Sequence, residues 1–261
     1  MHIYLVEPDY PISYPNLALM KISTKHKQQG DTVEYLKGFS SQAKYKQPDI
    51  IYISTMFTYY SKQTIDCIRH YKTTFPNTEI QVGGIFASLM PEYIEKMTGI
   101  KPFIGYSDEL DHYLPDYSLV PTFIEQSPKV KKWKDYSILF STRGCPRSCG
   151  FCAVKTLEPN THIIENWQDA IDLSKPFVMF QDNNLTSFPF EHFQSVMEFV
   201  GKNGLKAHFN NGFDARKLTS EQIELMAKIK WASAGLRLAF DNMTEDGYVQ
   251  RAVETLLKKG I

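Results

Sequence analysis

Ser141-Thr142-Arg143-Gly144-Cys145-Pro146-Arg147-Ser148-Cys149-Gly150-Phe151-Cys152 carries three of the chain's four cysteines, spaced C-x3-C-x2-C. Three thiolates on one short loop can hold three irons of a cubane iron–sulfur cluster. The fourth iron then has no protein ligand and stays open to a small molecule, whereas an electron-transfer ferredoxin closes that corner with a fourth cysteine. The remaining cysteine, Cys67, lies far upstream. A tetrahedral Cys3His zinc site completed by His162 is the other reading of the same residues, although structural zinc ligands usually come as two separated pairs. Four cysteines in 261 residues, one of them isolated, do not make the disulfide framework of a small secreted domain.

Working outward, Tyr136-Ser137-Ile138-Leu139-Phe140-Ser141 is an apolar run that predicts a strand leading directly into the cysteine loop. Further strands are expected over 176–180, 205–209 and 234–240. Helices are expected over 167–173, 191–200 and 249–259, with another capped at Thr219 or Ser220 by a hydroxyl oxygen and carrying Ile223, Met226 and Ile229. The strands end in polar residues: Gln181-Asp182-Asn183-Asn184, then Asn210-Asn211-Gly212-Phe213-Asp214, then Asp241-Asn242. Serial strand–helix units are the pattern of a β/α barrel, whose active sites lie at the carboxyl ends of the strands. Asp182, Asn183, Asn210, Asp214 and Arg237 stand at those ends, although Asp and Asn there also suit plain turns.

The first half alternates short apolar runs with helix-like segments. Strands are predicted over 3–6, 33–36, 50–54, 79–82 and 101–104, and helices over 15–29, from Ser61, and over 91–97. That alternation argues for an open, mostly parallel α/β sheet whose ligands would meet the loops at 8–16, 54–61 and 83–88. No G-x-G-x-x-G follows the first strand and no G-x-x-x-x-G-K-[ST] occurs, so a dinucleotide or P-loop site is not indicated. His26 and His70 read as packing or surface residues, and Cys67 as a small buried hydrophobe. Residues 121–135 read as a solvated linker. Its run Lys129-Val130-Lys131-Lys132-Trp133-Lys134, in a chain of zero net charge, does not make a nucleic-acid surface.

The cysteine loop, with the aromatic Phe151 just before the last cysteine, resembles the cluster motif of the radical S-adenosylmethionine (SAM) enzymes. The resemblance implies a [4Fe-4S] cluster on Cys145, Cys149 and Cys152, with SAM chelated by the open iron and cleaved reductively to a 5′-deoxyadenosyl radical. It implies SAM contacts from Phe151, Asp182 and Asn183, with Asn210 and Asp214 reaching the ribose or substrate and Arg237 pairing with the SAM carboxylate. It also implies an electron donor of the flavodoxin or ferredoxin type. The first half resembles the cobalamin-binding domain that precedes the barrel in one subgroup, on Pro15-Asn16-Leu17-Ala18-Leu19-Met20, Ile53-Ser54-Thr55-Met56-Phe57-Thr58 and Val82-Gly83-Gly84-Ile85-Phe86-Ala87-Ser88. Many such domains carry D-x-H-x-x-G after the first strand. Here the loop Pro8-Asp9-Tyr10-Pro11-Ile12-Ser13-Tyr14 has no histidine, so a bound cobalamin would have no His ligand from it, and a sheet without the cofactor is the other reading. Gly83-Gly84 either admits a bulky flat ligand to the backbone or makes a tight turn.

The expected organisation is therefore a cobalamin-binding-like α/β domain over 1–120, a linker over 121–135, and a partial radical SAM β/α barrel over 136–261. The family's barrels have more units than this chain supplies, which implies a fragment, completion by another chain, or a compact variant. Two functions follow: a radical SAM enzyme that modifies a substrate, by methylation among other outcomes, or an incomplete module that binds cluster and SAM without turnover. No apolar run approaches the length of about 18 residues that spans a bilayer, and the N-terminus lacks a signal-peptide pattern, so a cytoplasmic location is expected.

Overall fold

A computed structural model describes residues 1–39 and 47–261. The chain divides into two compact units, Met1–Lys134 and Asp135–Ile261, each a mixed α/β body with a parallel sheet.

In the first unit, β1 (His2–Glu7) is flanked by β2 (Thr32–Lys37) and β3 (Ile50–Thr55), and β4 (Glu79–Gly84) completes the order β2-β1-β3-β4, all parallel. A central parallel strand is covered on both faces, which is why Ile3-Tyr4-Leu5-Val6 is an unbroken apolar run. Its side chains alternate between two cores. Tyr4 and Val6 pack with Ile65, Ile68 and Tyr71 of α2 (Ser61–Thr74). Ile3 and Leu5 pack with Leu19 and Met20 of α1 (Leu17–Gln28). After β4 come α3 (Ile85–Leu89) and α4 (Pro91–Thr98). The latter opens on a proline, whose missing N–H costs nothing there, and stops at a left-handed Gly99. α5 (Asp108–Asp111) is tied to α1 by Lys21, whose Nζ lies 3.4 Å from Asp111 Oδ1 with both groups buried.

Two expectations change here. Residues 101–104 form no strand: Phe103 N donates to Val82 O at 2.7 Å, and Pro102 beside it has no N–H to extend a ladder. The stretch expected as a solvated linker is instead packed. α6 (Val120–Gln126) and a 3-10 turn (Pro128–Trp133) bury Val120, Phe123 and Val130 in the α1-side core. Trp133 stacks on Tyr14 with ring centroids 4.8 Å apart and donates from Nε1 to Ser13 O at 2.7 Å, leaving the lysines outside.

The glycine pair is explained locally. Gly84 has φ +103, and a Cβ there would lie 2.2 Å from Thr55 O, whereas a Cβ on Gly83 would meet only Phe103 at ordinary contact. Gly84→Ala is therefore expected to destabilise the first unit by at least about 2 kcal/mol, since a left-handed Ala must also displace backbone. Gly83→Ala should be near neutral. Urea unfolding of the two variants, monitored by circular dichroism, checks the contrast.

In the second unit, chain order runs β5 (Tyr136–Leu139), β6 (Thr142–Arg143), α7 (Val154–Leu157), β7 (His162–Ile163), β8 (Phe177–Phe180), α8 (Phe190–Lys202), β9 (Lys206–Phe209), α9 (Ser220–Met226), β10 (Lys230–Trp231) and α10 (Asp246–Lys258). β6 and β7 pair antiparallel, and the sheet order β10-β9-β8-β5 is parallel. α9 starts at a capping box: Thr219 Oγ1 accepts from Gln222 N and Gln222 Oε1 from Thr219 N. The apolar face of α8, with Phe193, Val196, Met197 and Val200, covers the sheet.

The expected helix at 167–173 is only a 3-10 turn, Trp167–Ala170. The expected strand at 234–240 is absent. Ala234 sits at φ +54, which breaks extension, and the strand pairing falls to β10 and to one isolated bridge, Phe213 with Leu238. The four strands form an open row with β5 and β10 at its edges, and they do not close into a barrel. Among the described residues no helix is long and apolar enough to cross a membrane.

Candidate functional site

β5 and its parallel neighbour β8 pair in the register Leu139 with Phe180, which sets the residues after β8 beside the start of the cysteine loop. Asp182 is buried there. Its Oδ1 accepts from Ser141 N at 3.1 Å, Ser141 Oγ at 2.7 Å and Thr142 Oγ1 at 2.5 Å, while Oδ2 is buried with no hydrogen-bond partner among the described residues. Burial drives the Asp182 carboxyl upward against the pull of those hydrogen bonds. From α8, His192 Nε2 lies 3.1 Å from Ser141 Oγ, and burial pushes its pKa down to about 4, so the ring is neutral near pH 7. Asp182 thus reaches the loop rather than open solvent.

Glu158, just after α7, ties the next part of the loop. Its Oε1 accepts from Arg143 Nη1 at 2.9 Å, and its Oε2 accepts from Gly144 N and from Asn183 Nδ2, both at 2.7 Å. The Arg143 guanidinium also lies over the Phe140 ring, 3.6 Å from its centroid. Gly144 has φ +74, and a Cβ there would lie 2.3 Å from Asn160 O, so this turn into Cys145 requires glycine.

The three cysteines differ in exposure. Cys145 is buried, with Asn184 Nδ2 donating to its Sγ at 3.7 Å. Cys149 is half-buried and lines an open cavity of about 580 Å³ together with Pro146, Arg147, Ser148, Ser187 and Lys217. That volume falls in the range of small-molecule sites, about 300–1,000 Å³. Cys152 is exposed; its N–H donates to Cys149 O at 3.0 Å, and Phe151 beside it is 73% exposed. Among the described residues no three His, Cys, Asp or Glu side chains converge as around a single metal ion, and His162 does not join the cysteines in such a group. A cubane takes each thiolate on a separate iron. The loop offers three thiols within eight residues, one buried beside an amide donor and one facing a cavity.

The remaining predicted residues lie on the segments after β8, β9 and β10. Asn183 is committed to Glu158, as above. Asn210 donates from Nδ2 to Gln181 Oε1 at 3.0 Å, and its carbonyl accepts from Arg237 Nη1 at 3.1 Å. Arg237 is exposed, and its Nε also donates to Ala234 O at 3.3 Å; it rises from the irregular segment after β10, not from a strand. Asp214 clamps two arginines: Oδ2 accepts from Arg147 Nε and Oδ1 from Arg216 Nε, each at 2.7 Å. Burial raises the Asp214 carboxyl, but the arginines outweigh it and hold the group below the usual carboxylate range. Arg216 extends the network to Glu245 at 2.5 Å.

No protein-family model and no curated protein matches the chain. Among solved structures it superposes on the cobalamin-dependent S-adenosylmethionine radical enzyme OxsB, solved with aqua-cobalamin and S-adenosylmethionine bound, with a TM-score of 0.61 at 16% identity. The chain shares the fold of OxsB. The match covers 99% of this chain and 47% of OxsB, so the chain spans about half the length of that enzyme.

Within this OxsB-like fold, sequence reasoning missed Glu158, His192, Asn184 and Arg147. Glu158 follows a four-residue helix that has no apolar period to announce it. Asn184 was visible only as the fourth polar residue after β8. Arg147 lies inside the cysteine motif, but its partner Asp214 is 67 residues away. In the first unit the sequence loop 8–16 also hides a buried polar knot: Glu7 Oε1 accepts from Asn16 Nδ2 at 3.0 Å and Oε2 from Tyr35 Oη at 2.8 Å. Burial raises the Glu7 carboxyl. His26, expected as a packing or surface residue, is packed, buried between Asp31 and Tyr52 at 2.7 and 3.0 Å.

Proposed function

We propose that this chain is a radical SAM protein whose second unit binds a [4Fe-4S] cluster through Cys145, Cys149 and Cys152. The observation that carries the reading is a C-x3-C-x2-C loop issuing from the first strand of a parallel sheet in a chain with the OxsB fold. When bound, such a cluster supplies the electron that cleaves SAM reductively for radical modification of a substrate. Asp182, Ser141 and His192 hold the entry to the loop, and Glu158 holds Arg143 and Gly144, so the cysteines are presented on a fixed base. Asp182, Asn183, Asn210, Arg237 and Phe151 remain the proposed contacts to SAM, and Asp182 also holds the loop. The domain reading stands as a proposal too: a cobalamin-binding-like domain over 1–120 and a partial barrel over 136–261.

Cobalamin is proposed for the carboxyl edge of the first sheet. Tyr59, Ile85, Phe103 and Ile104, which follow β3 and β4, are large apolar side chains left exposed, and a corrin is a large flat ligand that such surface would cover. The loop after β1 offers no histidine to it. A flavodoxin- or ferredoxin-type donor and a reducing, cytoplasmic setting complete the proposal. The alternative reading is a module that binds cluster and SAM without turnover.

Anaerobic reconstitution, reduction and addition of SAM separate these. Release of 5′-deoxyadenosine and methionine is expected of the enzyme; an intact cluster without release selects the module. A protein that takes up neither iron nor sulfide overturns the proposal. Retained visible absorbance after hydroxocobalamin titration is expected of the first unit, and its absence removes cobalamin.

A further inference from the structure

Resting on the cluster reading above, we propose that Asn184 is a positioning residue that sets the cluster's reduction potential by donating a hydrogen bond to the Cys145 sulfur. Asn184 is 5% exposed, and its Nδ2 lies 3.7 Å from Cys145 Sγ. The amide is not free to turn its oxygen toward that sulfur. Thr186 Oγ1 donates to Asn184 Oδ1 at 2.8 Å and itself accepts from Asp214 N at 3.2 Å. The three links point one way, from the Asp214 N–H through the Thr186 hydroxyl to the Asn184 amide, and each donor polarises the next. The chain ends on the most buried of the three cysteines, where the low local dielectric strengthens it. The same turn reaches the cavity wall: Ser187 lines the space that Cys149 lines.

Reduction adds one electron, supplied by an added low-potential reductant, to the bound cluster and its thiolates. The added negative charge strengthens a donor hydrogen bond to a ligating sulfur, so the bond stabilises the reduced form more than the oxidised one. Its removal makes the cluster harder to reduce.

The test is a redox titration of the reconstituted protein, monitored by electron paramagnetic resonance, in the wild type and in Asn184→Leu and Thr186→Val. Asn184→Leu is expected to keep its iron and sulfide and to shift the midpoint negative. The shift corresponds to about a tenfold lower ratio of reduced to oxidised cluster at a fixed potential, about 59 mV for a one-electron couple. Thr186→Val, which frees the amide without removing it, is expected to shift the midpoint the same way by less, with Thr186→Ser restoring the wild-type value. If Asn184→Leu fails to fold or to hold a cluster, the Thr186 pair decides. A wild type that holds a cluster, with midpoints unmoved in the variants that hold one, overturns this inference alone. A wild type that holds no cluster overturns the functional reading with it.

Discussion

Alanine at Cys145, Cys149 or Cys152 singly is expected to reduce the iron and sulfide retained after anaerobic reconstitution by about 100-fold or more. Losing a ligand exceeds the loss of an outer partner, which is typically worth about 10–100-fold in metal affinity. The fold should survive. Cys149 is half-buried and Cys152 exposed, so neither supports the core, and Cys145→Ala removes one sulfur from the end of it. Cys67→Ala is the control. That thiol lies on α2 and is buried in the core with Tyr4 and Val6, and burial pushes its pKa up to about 12, so it is not a thiolate near pH 7. Iron, sulfide and far-ultraviolet circular dichroism measured on the four variants check this. Undiminished iron in all three loop variants would remove the proposed site.

Glu158→Ala is expected to cost the second unit about 3–5 kcal/mol, the scale for removing one partner of a buried ion pair. Three donors lose their acceptor together: the Arg143 guanidinium, the Gly144 N–H and the Asn183 amide. Arg143 is nearly enclosed over Phe140 and has little access to water in exchange. Because Gly144 immediately precedes Cys145, the same variant should also lower cluster retention, whereas Glu158→Gln, which keeps an acceptor oxygen for Gly144, should lose less. Urea unfolding with iron assays on both variants checks the two effects. Full stability in Glu158→Ala would show that the loop is held by other contacts.

Much of the candidate site was legible because it is local. The cysteine spacing is a property of twelve consecutive residues, 141–152. The helix at Thr219 follows from a hydroxyl three residues before Gln222, and the structure realises both halves of that cap. The apolar run Ile3-Tyr4-Leu5-Val6 likewise marks a strand covered on both faces. The failures share a different cause. Residues 234–240 have a strand-like composition, but the left-handed Ala234 breaks their extension and pairing passes to Lys230–Trp231. Residues 121–135 mix charge and proline like a connector, yet Phe123 and Val130 are taken into the α1-side core and Ile124 packs against it.

The sequence by itself determined which thiols share a loop, most of the runs that form strands and helices, and that a parallel α/β fold was to be expected. Only the tertiary structure decided what that loop leans on. Asp182 lies 41 residues from Ser141, Arg147 lies 67 from Asp214, and Asn184 lies 39 from Cys145. Hydrogen bonds between residues so far apart leave no periodic mark in the chain. They exist because parallel β5, β8 and β9 end side by side and bring their polar termini within bonding distance.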